Sequence, residues 1–353
     1  MNSVRPAVKS RRGRAARLVQ CTALGTLMAA LPLLAAAAED PRVWLEKMSR
    51  ALATRNYDGT FFHLIDGRVE TMRIVHRYQG GQVTEKLQSL EGSGREYIRN
   101  DDHLTCYLPD KHTVLEEMVQ NRGPFLNSLP RFGSGADRFY RIDSLPDARV
   151  LGKAVRVIAV NPKDSYRFGY RLWLDRQTAM PLKTQICDAR GRVLEQILFA
   201  RLSMPKTIPD RDLTPTVSTA GMRRVVQGST EDAPAAVVQF RASELPPGFH
   251  LTVAGTQTLG GARRPAEHLV YSDGLATVSV FVEPRHGASP VAAAPDAAAA
   301  ARPPMHGLAR VGSGFAFATV VEGQQVTAVG EVPAETLEFI AHSVKAYGGA
   351  ARR

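Results

Sequence analysis

The feature that most limits what this chain can fold into is a change of apolar period near residue 56. Before it, Trp44, Leu45, Met48 and Leu52 fall at i, i+1, i+4 and i+8, which predicts an amphipathic helix over Pro41 to Arg55. After it, apolar residues recur at every second position and turn signals cut the run into short pieces. The pieces are Thr60 to Ile65, an Asp66-Gly67 turn, Val69 to Tyr78, a Gln79-Gly80-Gly81-Gln82 turn and Val83 to Leu90. Arg95 to Arg99, the polar turn 100–103 and Leu104 to Leu108 follow. A helix period cannot satisfy this pattern, whereas an antiparallel meander satisfies it throughout.

Between Val114 and Tyr140 the pattern breaks at Pro124, Pro130, Gly133 and Gly135, and short helices and loops are expected. Strands resume at Val155 to Val160, Tyr166 to Leu174, Pro181 to Asp188 and Val193 to Leu202. In the second of these, Tyr166, Phe168, Tyr170 and Leu172 alternate with Arg167, Gly169, Arg171 and Trp173, so one face is aromatic and apolar. That face needs cover, either from the chain's own helices or from a bound apolar ligand.

Residues 205–236 are rich in Pro, Thr, Ser and Ala without periodicity and read as a linker. Beyond it a second set of strands is expected at Val237 to Phe240, Phe249 to Ala254, His268 to Tyr271, Leu275 to Val282, Ala316 to Val321 and Gln325 to Val329. A helix opening at Pro333, with Leu337, Phe339, Ile340 and Val344 as its stripe, closes the chain. The Ala- and Pro-rich run 287–304 reads as a flexible loop. The expected divisions are therefore 1–38, 39–204, 205–236 and 237–353.

The first segment has the pattern of a cleavable signal peptide. Arg5, Lys9, Arg11, Arg12, Arg14 and Arg17 precede an apolar run from Cys21 to Ala38, and a cut is expected before Glu39. Cys21 opens that run and follows Gln20, which excludes a lipoprotein anchor. Export to a periplasm is the implied destination. Six of the 45 basic residues lie in the leader, which leaves 39 against 34 acidic ones. That modest excess is scattered singly and gives no nucleic-acid footprint. Cys106 and Cys187 remain, as one disulfide or as two buried thiols.

No metalloprotease, nucleophile-elbow, phosphate-loop or dinucleotide motif occurs, and no paired C-x-x-C. No catalytic residue, metal ligand or cofactor site is assigned. Asp101, Asp102 and His103 form the most site-like cluster, but an Asn-Asp-Asp-His run between strands is ordinary turn chemistry. His63 and His76 lie on strands and read as surface or satisfied core residues. Gly260 to Arg264 could meet an anion, though as a loop with two arginines it is weak, and Glu116-Glu117 reads as a solvated edge.

Four pieces in order carry a resemblance. They are Met48-Ser49-Arg50-Ala51-Leu52 leading into Asn56-Tyr57-Asp58-Gly59-Thr60-Phe61, then Arg95-Glu96-Tyr97-Ile98, then Leu269-Val270-Tyr271-Ser272-Asp273-Gly274-Leu275, and Val329-Gly330-Glu331-Val332-Pro333. With these the chain resembles the MucB/RseB family of periplasmic regulators of the envelope-stress sigma factor. The resemblance implies an α+β protein: an N-terminal half-open antiparallel β-barrel with helices, similar to the lipoprotein carriers LolA and LolB, and a smaller C-terminal α/β domain. It implies a binding protein and not an enzyme, one that holds the periplasmic region of a transmembrane anti-sigma factor, shields it from proteolysis, and lets go on sensing lipopolysaccharide or lipoprotein acyl chains. The Ala/Pro stretch 292–301 departs from the family as a loop insertion. Phe61, Phe62, Tyr166, Phe168, Tyr170 and Leu172 are the candidate cavity lining, and Tyr271, Asp273, Gly274, Glu331 and Pro333 the candidate partner surface. Tyr271 to Gly274 is also a hairpin turn and Pro333 a helix start. Oligomeric state stays open. The competing readings are a lipid or lipoprotein carrier with no regulatory partner, and a hydrolase built on scattered residues such as Asp102 and His103.

Overall fold

The chain enters the fold on helix α1 (Pro41–Thr54), whose start is set by Asp40 accepting the Arg42 N–H at 2.9 Å and by a proline in the first turn. Trp44, Leu45, Met48, Ala51 and Leu52 are buried along one side, the stripe expected with Ala51 added. The computed structural model describes residues 39–92, 94–118, 136–227, 238–257, 265–284 and 306–347. The expected leader, Gly260 to Arg264 and the 287–304 loop lie outside the described residues.

The N-terminal sheet runs through β1 (Tyr57–Ile65), β2 (Arg68–Gln79), β3 (Gln82–Ser89), β4 (Glu96–Asn100), β5 (His103–Leu108), β6 (Thr113–Met118), β7 (Tyr140–Val150), β8 (Lys153–Pro162), β9 (Gly169–Asp175), β10 (Pro181–Cys187), β11 (Val193–Ser203) and β12 (Arg223–Gln227). Its order is β12-β6-β5-β4-β3-β2-β1-β11-β10-β9-β8-β7, with every pairing antiparallel except β12 with β6. β1 against β11 joins the two halves of the meander in its middle, and the end strands β12 and β7 do not pair, so the sheet is not closed. The turn signals act as their chemistry requires: Asp66-Gly67 and Gly80-Gly81 each place two successive residues at positive φ, the geometry that matches strand twist. The apolar face of this sheet is covered by α1. Phe61, Ile74, Ile158, Val160, Phe168, Tyr170, Leu172, Leu174 and Phe199 form one core with the helix stripe. Each fully buried side chain of this size contributes about 1.5–3 kcal/mol.

The C-terminal sheet has the order β14-β15-β16-β19-β18-β17, built from β14 (His250–Gln257), β15 (Ala266–Ser272), β16 (Thr277–Pro284), β17 (Gly307–Val311), β18 (Gly314–Val321) and β19 (Gln324–Gly330). Helix α2 (Ala334–His342) lays Leu337, Ile340 and Ala341 on Val278, Val280, Val326 and Ala328. A short ribbon of β13 (Phe240–Ala242) and β20 (Val344–Ala346) flanks it. Gly314 and Gly330 cross closely: a Cβ on Gly314 would sit 2.1 Å from the Gly330 carbonyl oxygen, so only hydrogen fits. The fold is thus mostly β, with α1 and α2 its α-helices among the described residues.

Several sequence expectations need correction, and the alternative left open for the two cysteines is decided. The stretch from Val114 is β6 at its start, not irregular, and β7 precedes Val155. β7 escaped notice because Pro146 and a register shift between Leu145 and Ala148 interrupt its alternation, which an edge strand tolerates. The linker is only partly free of structure. Ile208 and Leu213 are buried against Val75, Lys86 Nζ donates to the Thr214 carbonyl at 2.8 Å, and β12 pairs with β6, so 205–227 is tied along the N-terminal sheet. The strand expected from Tyr166 starts at Gly169, and Pro333 caps α2 from outside its first turn while Val344 opens β20. Cys106 and Cys187 are buried free thiols, and desolvation pushes Cys106 up to about 11.

Truncating Leu45, which is fully buried under the sheet, should cost about 2–5 kcal/mol. Phe62→Ala, on the other side of β1 and 38% exposed, should cost under about 0.5 kcal/mol. Urea denaturation midpoints at constant slope check both.

Candidate functional site

The apolar lining residues do not share one surface. Phe61, Phe168, Tyr170 and Leu172 lie in the core beneath α1, while Phe62 alternates to the outer face. Tyr166, just before β9, leaves the core altogether. Its carbonyl accepts the Thr336 hydroxyl of α2 at 2.8 Å, and its ring meets Phe339 edge-on at 5.9 Å. The face that asked for cover has it from the chain's own helix.

What the structure does gather is a polar seam between the two sheets. At its centre Arg167, in the bend between β8 and β9, and Asp273, in the turn between β15 and β16, have fully buried side chains and meet at 2.8 Å between Nε and Oδ2. The remaining arginine nitrogens are held too: Nη1 donates to Asp164 Oδ2 and Nη2 to the Pro247 carbonyl, each at 2.5 Å. The guanidinium carbon lies 4.8 Å from the Phe139 ring centre, 5.2 Å from that of Phe249 and 5.6 Å from that of Tyr140. Tyr140 also donates its hydroxyl to Asp273 Oδ2 at 3.1 Å. Burial holds that phenol well above its ordinary range, so it stays a donor. Asp273 meanwhile serves its own hairpin, with Oδ1 accepting the Leu275 and Ala276 N–H groups at 2.8 and 2.7 Å. One carboxylate therefore fixes a turn in one sheet and an arginine from the other. Gly248 lies at the same place with φ +87°, and a Cβ there would sit 2.3 Å from the Phe139 ring.

The seam continues toward the end of β1. Arg310 Nε pairs with Asp66 Oδ1 at 2.7 Å across the two sheets. His63 Nε2 lies 3.0 Å from Glu195 Oε1, and Glu331 accepts the buried Ser313 hydroxyl at 2.6 Å. Of the expected partner residues, Asp273 is therefore spent at the seam, and Tyr271 is buried with its hydroxyl accepting the Ala242 N–H at 2.8 Å. Gly274 is exposed at φ +97°, and Glu331 and Pro333 follow β19 at the seam's rim.

Sequence reasoning missed Arg167. The available signal was a single cation inside an aromatic run, which strand alternation assigned to the solvent side. His76 is buried in the core: Nδ1 lies 2.8 Å from the Arg55 carbonyl, Nε2 lies 3.6 Å from Glu85 Oε1, the ring stacks on Tyr57, and desolvation brings it down to about 4. Asp101 and Asp102 form the turn into β5, which His103 opens; Asp101 at φ +50° accepts the Val83 N–H, and the exposed His103 Nδ1 lies 2.7 Å from Asp102 Oδ1. Among the described residues no group of three or more His, Cys, Asp or Glu is placed to hold a metal.

Two β-sheets joined by a buried ion pair, each with a helix on its apolar face, define a two-lobed scaffold. The chain belongs to the MucB/RseB family: the family's N-terminal domain matches residues 40–217 and its C-terminal domain residues 234–345. It is 32% identical over 324 residues to the sigma factor AlgU regulatory protein MucB of Pseudomonas aeruginosa, covering 91% of this chain and 95% of the relative. It is 24% identical over 306 residues to the sigma-E factor regulatory protein RseB of Escherichia coli K12, covering 85% and 89%. Among solved structures, the Pseudomonas aeruginosa MucA/MucB complex matches with a TM-score of 0.66 and 28% identity, over 88% of this chain and all of that one. A structure of MucB with MucA(peri) matches at 0.64, also with 28% identity.

Breaking the central pair from one side should be costly. Arg167→Met leaves the Asp273 carboxylate buried without its cation, and a loss of about 3–5 kcal/mol is expected. The double variant Arg167→Met/Asp273→Leu should recover part of that loss in equilibrium denaturation. An equal or larger loss would mean that the charges themselves hold the seam.

Proposed function

We propose that this chain is an exported regulator of sigma-factor signalling that binds the periplasmic region of a transmembrane anti-sigma factor and shields it from proteolysis. The observation that carries the reading is the match along nearly the whole chain to MucB in its complex with MucA. Membership of a family of sigma-factor regulatory proteins supports it. Residues 1–38 serve as the cleaved leader, and the mature protein works in the periplasm. It acts by binding and not by catalysis. The N-terminal part, 39–204, is a half-open barrel of the lipoprotein-carrier type, and 237–353 is a smaller α/β domain joined through 205–236.

Acyl chains of lipopolysaccharide or lipoprotein release the partner by entering the N-terminal part. Because α1 already covers Phe61, Phe168, Tyr170 and Leu172, an acyl chain reaches them only by displacing that helix. Each buried methylene contributes about 0.8 kcal/mol, so a handful suffices to shift a conformational equilibrium of a few kcal/mol. Gly274, Glu331 and Pro333 are the rim positions offered to the partner, with Tyr271 and Asp273 supporting them from beneath.

Titration calorimetry of the mature chain with a peptide spanning the anti-sigma periplasmic region should give a dissociation constant below about 10 μM. Added lipopolysaccharide should weaken it. No heat of binding at about 100 μM peptide would remove the reading.

A further inference from the structure

Residues 205–217 cross the outer face of the N-terminal sheet, the side opposite α1, and are held along their whole length. The Asn56 side chain donates to the Lys206 carbonyl at 2.8 Å. On β2, Arg77 donates to the Ile208 carbonyl at 3.3 Å and pairs with Asp210 at 2.5 Å, and Arg73 lies 3.8 Å from Asp212. Ile208 and Leu213 are buried against Val75, between those two arginines in sequence. On β3 and β4 the hold is ionic and dry. Lys86 and Glu96, with side chains 4% and 0% exposed, meet at 3.2 Å. Each also grips the crossing segment. Lys86 Nζ donates to the Thr214 carbonyl at 2.8 Å, and Glu96 accepts the Thr216 N–H at 2.9 Å together with its hydroxyl. The segment then joins the sheet as β12, parallel to β6.

A buried lysine and a buried glutamate are tolerated only when their charges meet and their remaining polar atoms are hydrogen-bonded. Thr214 and Thr216 supply those bonds, so the pair is complete only while the segment is docked. β12 has less to hold it: it is a five-residue edge strand with Val226 69% exposed. We propose that 205–217 is a latched strap that sets the length of chain joining the two lobes, with Lys86 and Glu96 as its latch. Docked, ten residues, 228–237, run from β12 to Val238, where the second core begins. Released together with β12, the connection is 33 residues, 205–237. A chain spans at most about 3.5 Å per residue, so release raises the greatest reach from about 35 Å to about 115 Å. The effective concentration of one lobe at the other falls roughly as the −3/2 power of connector length, about six-fold here. The strap thereby biases the Arg167 to Asp273 seam without touching it: docked it favours closed lobes, and released it favours separated ones. The inference concerns the mature chain alone and does not depend on the identity of its partner.

Thr336→Cys provides the readout, because Thr336 is wholly buried and its hydroxyl meets the Tyr166 carbonyl of the other lobe. The rate at which a thiol reagent labels position 336, resolved from Cys106 and Cys187 by peptide mass spectrometry, reports lobe separation. Hydrogen exchange, corrected for intrinsic rates, reports the strap. With the strap intact, amides 212–216 and 223–227 should be protected. In Ile208→Gly/Leu213→Gly/Thr216→Gly/Val225→Gly they should exchange freely, β8 and β9 should stay protected, and labelling at 336 should rise about six-fold. Inserting about 23 Gly and Ser residues after Gly228 matches the released length with the strap still docked, and should raise labelling equally. If the fourfold variant unfolds or keeps its strap protected, the inserted chain decides alone. Strap amides unprotected in the unaltered strap, or labelling unchanged in the inserted chain or in a folded chain whose strap is free, overturns the proposal.

Discussion

At the centre of the contact between the two sheets is one buried ion pair, Arg167 against Asp273. An arginine removed from water is tolerable only when its donors and its charge are met. Here Asp164 and the Pro247 carbonyl accept from its Nη atoms, the Asp273 carboxylate balances its charge 2.8 Å from Nε, and aromatic rings fill the remaining faces. Such a contact adds little net stability over an apolar substitute, but it has far fewer alternative geometries. Apolar surfaces can slide. A guanidinium fitted to Asp273, Asp164 and Pro247 at once cannot, so the pair fixes which edge of the second sheet faces which bend of the first.

The helices complement that arrangement. Most of each apolar face is covered by its own helix, α1 or α2, and Leu275 and Phe315 of the second sheet add to the cover of the first core. The seam between them can therefore be polar and adjustable. Thr336 on the Tyr166 carbonyl and Arg310 on Asp66 are hydrogen-bonded and ionic contacts, sensitive to their polar surroundings in a way that the two cores are not.

Much of the fold was legible because its elements are local. Alternation, the Asp66-Gly67 and Gly80-Gly81 turns and the stripe of α1 each follow from residues within a few positions of one another. β7 and β12 were not legible, one because Pro146 and a bulge spoil its period, the other because a five-residue strand is justified only by a distant partner, β6. The candidate residues divide in the same way. Phe168, Tyr170 and Leu172 lie on the apolar face that alternation gave them, whereas Asp273 looked like a turn residue and is one, with a second task set by a side chain over a hundred positions away. Long-range pairing of charges leaves no periodic trace. Arg167 could have been suspected only as a cation out of place.

The open ends of the N-terminal sheet bear on a different problem. A long unpaired strand is an invitation to any extended polypeptide. β7 declines that invitation through its composition. Pro146 offers no N–H, the register shift between Leu145 and Ala148 bends the strand, and Arg141, Asp143, Asp147 and Arg149 place alternating charge along it. The same irregularities that hid β7 from its sequence pattern make it a poor template, and should keep the molecule from being recruited into mixed sheets with its unfolded neighbours.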